Sequence, residues 1–125
     1  MRGKGIIQLA AVLGAIAVGI GAFGAHGLKD ILAETGRVET FETGVKYHFY
    51  HSIAIFLIGI LAIVKPEWKK LSLAALLMAI GILIFSGSLY VLSLTGITWL
   101  GAVTPLGGVA FIAGWILVVL AVSKN

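Results

Sequence analysis

The sequence predicts an all-α integral membrane protein: four transmembrane helices with a short surface-helical segment between the first and second. Two observations carry that prediction. The chain's nine Lys/Arg and five Asp/Glu all fall outside three uncharged stretches, residues 5–25, 47–64 and 71–123. Crossing about 30 Å of hydrocarbon takes about 20 apolar residues, so the first two stretches supply one span each and the third is long enough for two. With 125 residues and 60% hydrophobic content, the composition leaves room for a single membrane domain, residues 1–125, and for no soluble domain of useful size.

The first span is expected over residues 5–25. Arg2 and Lys4 precede it, as in a secretory signal. Signal cores run about 7–15 residues, however, and this uncharged run is longer, which favours a retained span. Small residues recur four apart on two stripes, Ala11, Ala15 and Gly19 on one and Ala17, Gly21 and Ala25 on the other. Lipid offers helices no hydrophobic reason to associate, so close packing along such stripes is a main source of association energy. Two stripes imply two neighbours, one of them across a subunit boundary unless packing inside the monomer uses both.

Residues 26–46 hold half of the charges. Leu28, Ile31 and Leu32, then Val38, Phe41 and Val45, keep helical spacing on either side of Gly36. This predicts a surface helix ended by Gly36 and a second helix that begins before the lipid and runs on into span two, residues 47–64. The segment Lys65-Pro66-Glu67-Trp68-Lys69-Lys70 reads as a turn with a basic cluster and an interfacial tryptophan. Span three is expected over 71–94. Thr104 and Pro105 suit an N-cap and first helical position, placing span four at 105–123 and leaving 96–104 as an apolar hairpin or partial helix anchored by Trp99; the alternative is a proline kink inside a continuous helix that begins near Ile97.

Four spans place both termini on one side with the 65–70 turn. That side holds Arg2, Lys4, Lys65, Lys69, Lys70 and Lys124, against Lys29, Arg37 and Lys46 on the other, so the positive-inside rule puts both termini in the cytoplasm. The basic residues thus read as topology signals, and no nucleic-acid partner is predicted. The absence of cysteine excludes disulfides, thiolate metal sites and cysteine lipidation.

In that orientation polar side chains gather near the outer leaflet: His26, Tyr47, His51, Ser86, Ser88, Tyr90, Ser93 and Thr104. They form the candidate polar site. Ser86, Tyr90 and Ser93 share one helical face. Such hydroxyls either bond across helices or back to their own helix, or line a pathway. His48 and His51 stand three apart and could present two imidazoles to one metal with His26 or Glu42, yet ligand type alone fixes no geometry. No catalytic residue, metal or cofactor is predicted. No Asp, Glu, Lys or Arg lies within the spans, which disfavours an ion-coupled pump.

Several motifs lie in order along the chain: Phe23-Gly24-Ala25-His26-Gly27-Leu28, then Phe41 to His51, then Phe85-Ser86-Gly87-Ser88-Leu89-Tyr90, then Thr104 to Gly108, and Gly114-Trp115. Together they resemble the family labelled domain of unknown function 423. The resemblance implies a small four-span protein of the bacterial cytoplasmic membrane and no established activity. His48 departs from the pattern, standing where the family more often has glutamine, and this weakens a metal site built on His48 and His51. The leading expectation is a structural or interaction bundle, not an enzyme, that self-associates as a homo-oligomer or binds membrane lipid or a protein partner. The alternative is an oligomeric small-molecule transporter or channel. A weaker third is an enzyme acting on a lipid or quinone through His26 or His51.

Overall fold

The computed structural model describes residues 1–123, all helical where ordered into elements; Lys124, counted above on the side of the termini, lies outside them. Six α-helices follow one another: α1 Gly3–His26, α2 Lys29–Thr35, α3 Val38–Val64, α4 Lys70–Gly81, α5 Gly87–Thr95 and α6 Thr104–Ser123. A π-helical turn, Ile82–Ser86, joins α4 to α5, and a 3₁₀ helix, Thr98–Ala102, precedes α6. Four helical stretches among the described residues are long and apolar enough to cross a membrane: Gly3–His26, Val38–Val64, Lys70–Thr95 and Thr98–Ser123.

The charged segment folds as its spacing predicts. Helix α2 buries Leu32. Gly36 ends it in the left-handed region, with φ 69°, and its N–H closes on Ala33. Helix α3 then starts at Val38 and carries through without a break. A side chain at Gly36 would be strained there, since left-handed backbone costs an L-residue roughly 1–2 kcal/mol. Gly36→Ala is therefore expected to lower unfolding stability in micelles by about that amount. Gly87→Ala, at a right-handed φ of −59° and with nothing within 4 Å of the added methyl, is expected to show no such loss.

The four spans form an open layer rather than a closed square. Helix α1 packs mainly on α3, α3 packs on the third span, and α6 packs mainly on α4. Burial follows this order, with 22% of the apolar window of α1 and of the last span buried, against 39% and 44% for the middle two. One core lies toward the end carrying the 65–70 turn, where Ile6, Ile55, Leu71, Ala75 and Met78 are fully or almost fully buried. It has no polar member.

The two small-residue stripes of α1 have different fates. Of the second stripe, Ala17 is buried and Gly21 sits under Val45 of α3, whereas Ala25 is exposed and the neighbouring Gly24 is buried in its place, so that side is used inside the molecule through Ala17, Gly21 and Gly24. Ala11, Ala15 and Gly19 face outward.

Span three departs from the expected uniform helix. In the π turn the Gly87 N–H reaches back five residues to the Ile82 carbonyl, and such turns inside α-helices recur at functional positions. The neighbours of span three differ on the two sides of the turn: α4 lies along α6 and α3, whereas α5 keeps α3 and meets α2. Span four differs in a smaller way. Helix α6 begins at Thr104, and the Thr104 hydroxyl donates to Leu100 O at 3.3 Å and pairs with Ser88 instead of serving as the expected N-cap.

Candidate functional site

The polar residues singled out in the sequence separate into two hydrogen-bonded groups, a separate pair of hydroxyls and one outlier. The first group joins α3 to the upper half of span three. Ser86, fully buried in the π turn, donates to the Gly44 carbonyl at 2.7 Å. His48 Nδ1 and Tyr90 Oη share a hydrogen bond of 2.8 Å. Ser93 donates to its own Leu89 carbonyl at 2.6 Å, and its backbone carbonyl accepts from Thr35 of α2 at 3.0 Å. Glycine at position 44 makes this approach possible, because a Cβ there would stand 2.9 Å from Tyr90 Cε1.

The second group centres on His51, which is 6% exposed. Its Nδ1–H donates to the Tyr47 carbonyl one turn earlier at 2.8 Å, and its Nε2 accepts from the Trp115 indole N–H of α6 at 3.1 Å. An indole only donates, so these two bonds define a neutral imidazole protonated at Nδ1. The ring lies flat on Phe111, with centroids 3.6 Å apart and planes 8° from parallel. Tyr47 contributes its ring to the same wall, 4.7 Å from Phe85, and is 40% exposed.

Ser88 and Thr104 stand apart from both groups. Their hydroxyls bond to each other and to the Phe85 and Leu100 carbonyls, tying α5 to the start of α6. His26 does not join the others. It is exposed in the last turn of α1, because that turn sets Gly24 against Phe41 of α3 and His26, two residues on, faces the opposite way. Helical spacing places a residue on a face but does not say which face meets a neighbour.

Both nitrogens of His51 are thus engaged inside the chain, which leaves none for the metal pairing that its spacing from His48 allowed. His48 is also buried, and its Nε2 has no partner in hydrogen-bond geometry, while the Leu13 backbone of α1 lies close enough to act on the ring. Tyr90 is the one hydroxyl of the two groups that meets an imidazole, that of His48; the Ser86 and Ser93 hydroxyls donate to backbone carbonyls. Hydrogen bonds between membrane helices average about 0.6 kcal/mol and reach about 1.7 kcal/mol, enough to fix register in a bundle whose apolar faces are interchangeable. Sequence spacing missed the partners of this network, Thr35, Gly44, Phe111 and Trp115. Trp115 carried a usable signal, since an indole N–H within a membrane span finds no acceptor in lipid and requires one in the protein.

Fold and network together define a small multi-pass membrane protein whose polar residues stitch helix to helix. A family model described as "Protein of unknown function (DUF423)" matches residues 20–108. UPF0382 membrane protein YwdK of Bacillus subtilis strain 168 is 47% identical over 97% of this chain and 98% of its own length. A UPF0382 membrane protein of Staphylococcus haemolyticus is 40% identical over 97% of each chain, and one of Haemophilus influenzae is 39% identical over 88% of this chain and 86% of its own. No solved structure matches. The chain belongs to the DUF423 family of uncharacterised membrane proteins.

Proposed function

We propose that the chain is a self-associating interaction bundle without chemistry of its own, seated in the bacterial plasma membrane with both termini cytoplasmic. The observation that carries this reading is the outward stripe Ala11, Ala15 and Gly19 on α1. Intramolecular packing uses only the opposite stripe, and small residues facing lipid gain nothing there, whereas against another helix they allow backbone contact. Beside the stripe, Ala11, Gly14, Ser52, Ile53 and Phe56 border a shallow groove of about 240 Å³ between α1 and α3. A second copy related by two-fold symmetry would set its own stripe into this face.

The orientation rests on five described basic residues at the end of the termini and the 65–70 turn, against three at the other. The non-catalytic reading rests on the polar network, whose hydroxyls and imidazoles are spent largely on backbone carbonyls and otherwise on one another or the Trp115 indole. The transport alternative drew on those same groups and is the weaker reading for that reason.

The chain has no cysteine, which makes the test direct. Single variants Ala11→Cys, Ala15→Cys and Gly19→Cys in native membranes are expected to give disulfide-linked dimers on mild oxidation. Val109→Cys, on the lipid-exposed face of α6, is expected not to. Equal cross-linking at all four positions, or none at the stripe, would remove the proposal.

A further inference from the structure

At the end of the bundle that carries the 65–70 turn, the start of α1 and the start of α4 enclose a notch of about 500 Å³, bordered by Arg2, Gly3, Ile63, Trp68, Lys69 and Ser72. We infer that this notch binds an acidic phospholipid, its phosphate between Arg2 and Lys69 and its glycerol and upper acyl chain along Ala62 and Ile63. The inference stands independently of self-association.

The capping of the two helices carries it. Helix N-termini present unpaired N–H groups and a partial positive charge, which Ser, Thr, Asp or Asn at the cap ordinarily answers. Here the cap positions hold Arg2 on α1 and Lys69 on α4. Neither cap makes a side-chain hydrogen bond to its helix, and neither first turn has an acidic residue. Two positive helix ends and two cations therefore converge with no carboxylate bordering the notch. Glu67, the one acid of this end among the described residues, lies 4.0 Å from Lys65 instead. Trp68 lines the notch while packing on the apolar core, and its indole N–H, itself buried, has no hydrogen-bond partner among the described residues. Met1 N donates to Ser72 Oγ at 2.9 Å beside it.

Charge distribution selects the lipid and the end. Arg2, Lys4, Lys65, Lys69 and Lys70 against Glu67 make this end strongly positive, whereas Lys29, Arg37 and Lys46 at the other end are outnumbered by Asp30, Glu34, Glu39 and Glu42. Basic pockets between membrane helices on the cytoplasmic side suit acidic headgroups. The apolar wall formed by Ala62 and Ile63 belongs to a membrane span, so the site continues into hydrocarbon, as a diacyl lipid requires and a soluble anion does not.

Native mass spectrometry from non-ionic detergent tests this with dioleoyl phosphatidylglycerol, dioleoyl phosphatidylcholine and soluble glycerol phosphate as probes. The wild-type chain is expected to retain one phosphatidylglycerol and no phosphatidylcholine. Arg2→Gln with Lys69→Gln, both at exposed positions, is expected to weaken retention about thirtyfold, with Arg2→Lys and Lys69→Arg restoring it. Lys29→Gln with Lys46→Gln is expected to leave it unchanged. The lipid-induced rise in melting temperature, read against each variant's lipid-free midpoint, is expected to follow the same order. Equal loss in both double Gln variants, equal retention of phosphatidylcholine, or displacement by glycerol phosphate would overturn the inference.

Discussion

Gly107→Ala is expected to abolish or severely reduce the folded state, while Gly108→Ala, one residue on, is expected to be tolerated. A Cβ at position 107 would press on the Phe85 backbone nitrogen and stand 2.7 Å from Phe85 Cβ and 2.8 Å from Phe85 Cα. Two of those atoms are backbone, so no rotamer change relieves the contact and α6 has to move off span three. Overpacking that a side chain can absorb costs about 1–3 kcal/mol, and this one belongs at or beyond the upper limit. At Gly108 the added methyl would lie 3.9 Å from Phe85 Cδ2, an ordinary contact, and alanine's better helix propensity is worth up to about 1 kcal/mol. Thermal unfolding of the two variants in the same detergent checks the contrast. Similar midpoints would show that α6 does not approach span three as closely as described.

His51→Leu is expected to cost about 2–3 kcal/mol, combining the orphaned Trp115 N–H with loss of the stacked ring. Trp115→Phe should cost less, because Trp115 is 47% exposed and His51 keeps its bond to the Tyr47 carbonyl. The informative quantity is the coupling between the two substitutions in a double-mutant cycle, expected at about 0.6 and no more than about 1.7 kcal/mol. Additive costs would mean that the indole and imidazole do not bond in the folded protein.

The spans were legible because charge is expensive in hydrocarbon and leaves a clean outline. Gly36 was legible because left-handed backbone favours glycine. The pairing of polar groups was not. Ser86, Tyr90 and Ser93 were correctly placed on one face, but only the packed structure supplies Gly44, His48 and Thr35 opposite them. Apolar helices all around offer many equivalent faces, so periodicity alone could not turn His26 outward or place Ser88 against Thr104. Nor could it reveal the π turn, whose residues, Ile82-Leu83-Ile84-Phe85-Ser86, are as suitable for an α-helix as those around them.

That turn makes span three a matter of phase rather than length. An α-helix advances only 1.5 Å per residue but rotates by about 100°. A bilayer absorbs a change of 1.5 Å easily, whereas 100° would swing the whole of α5 round and carry Ser86 and Tyr90 away from Gly44 and His48. A deletion within 82–86 that heals the π turn would leave a span equally able to cross the membrane and wrongly indexed against its neighbours. Hydropathy would not register the change, and the helix contacts would.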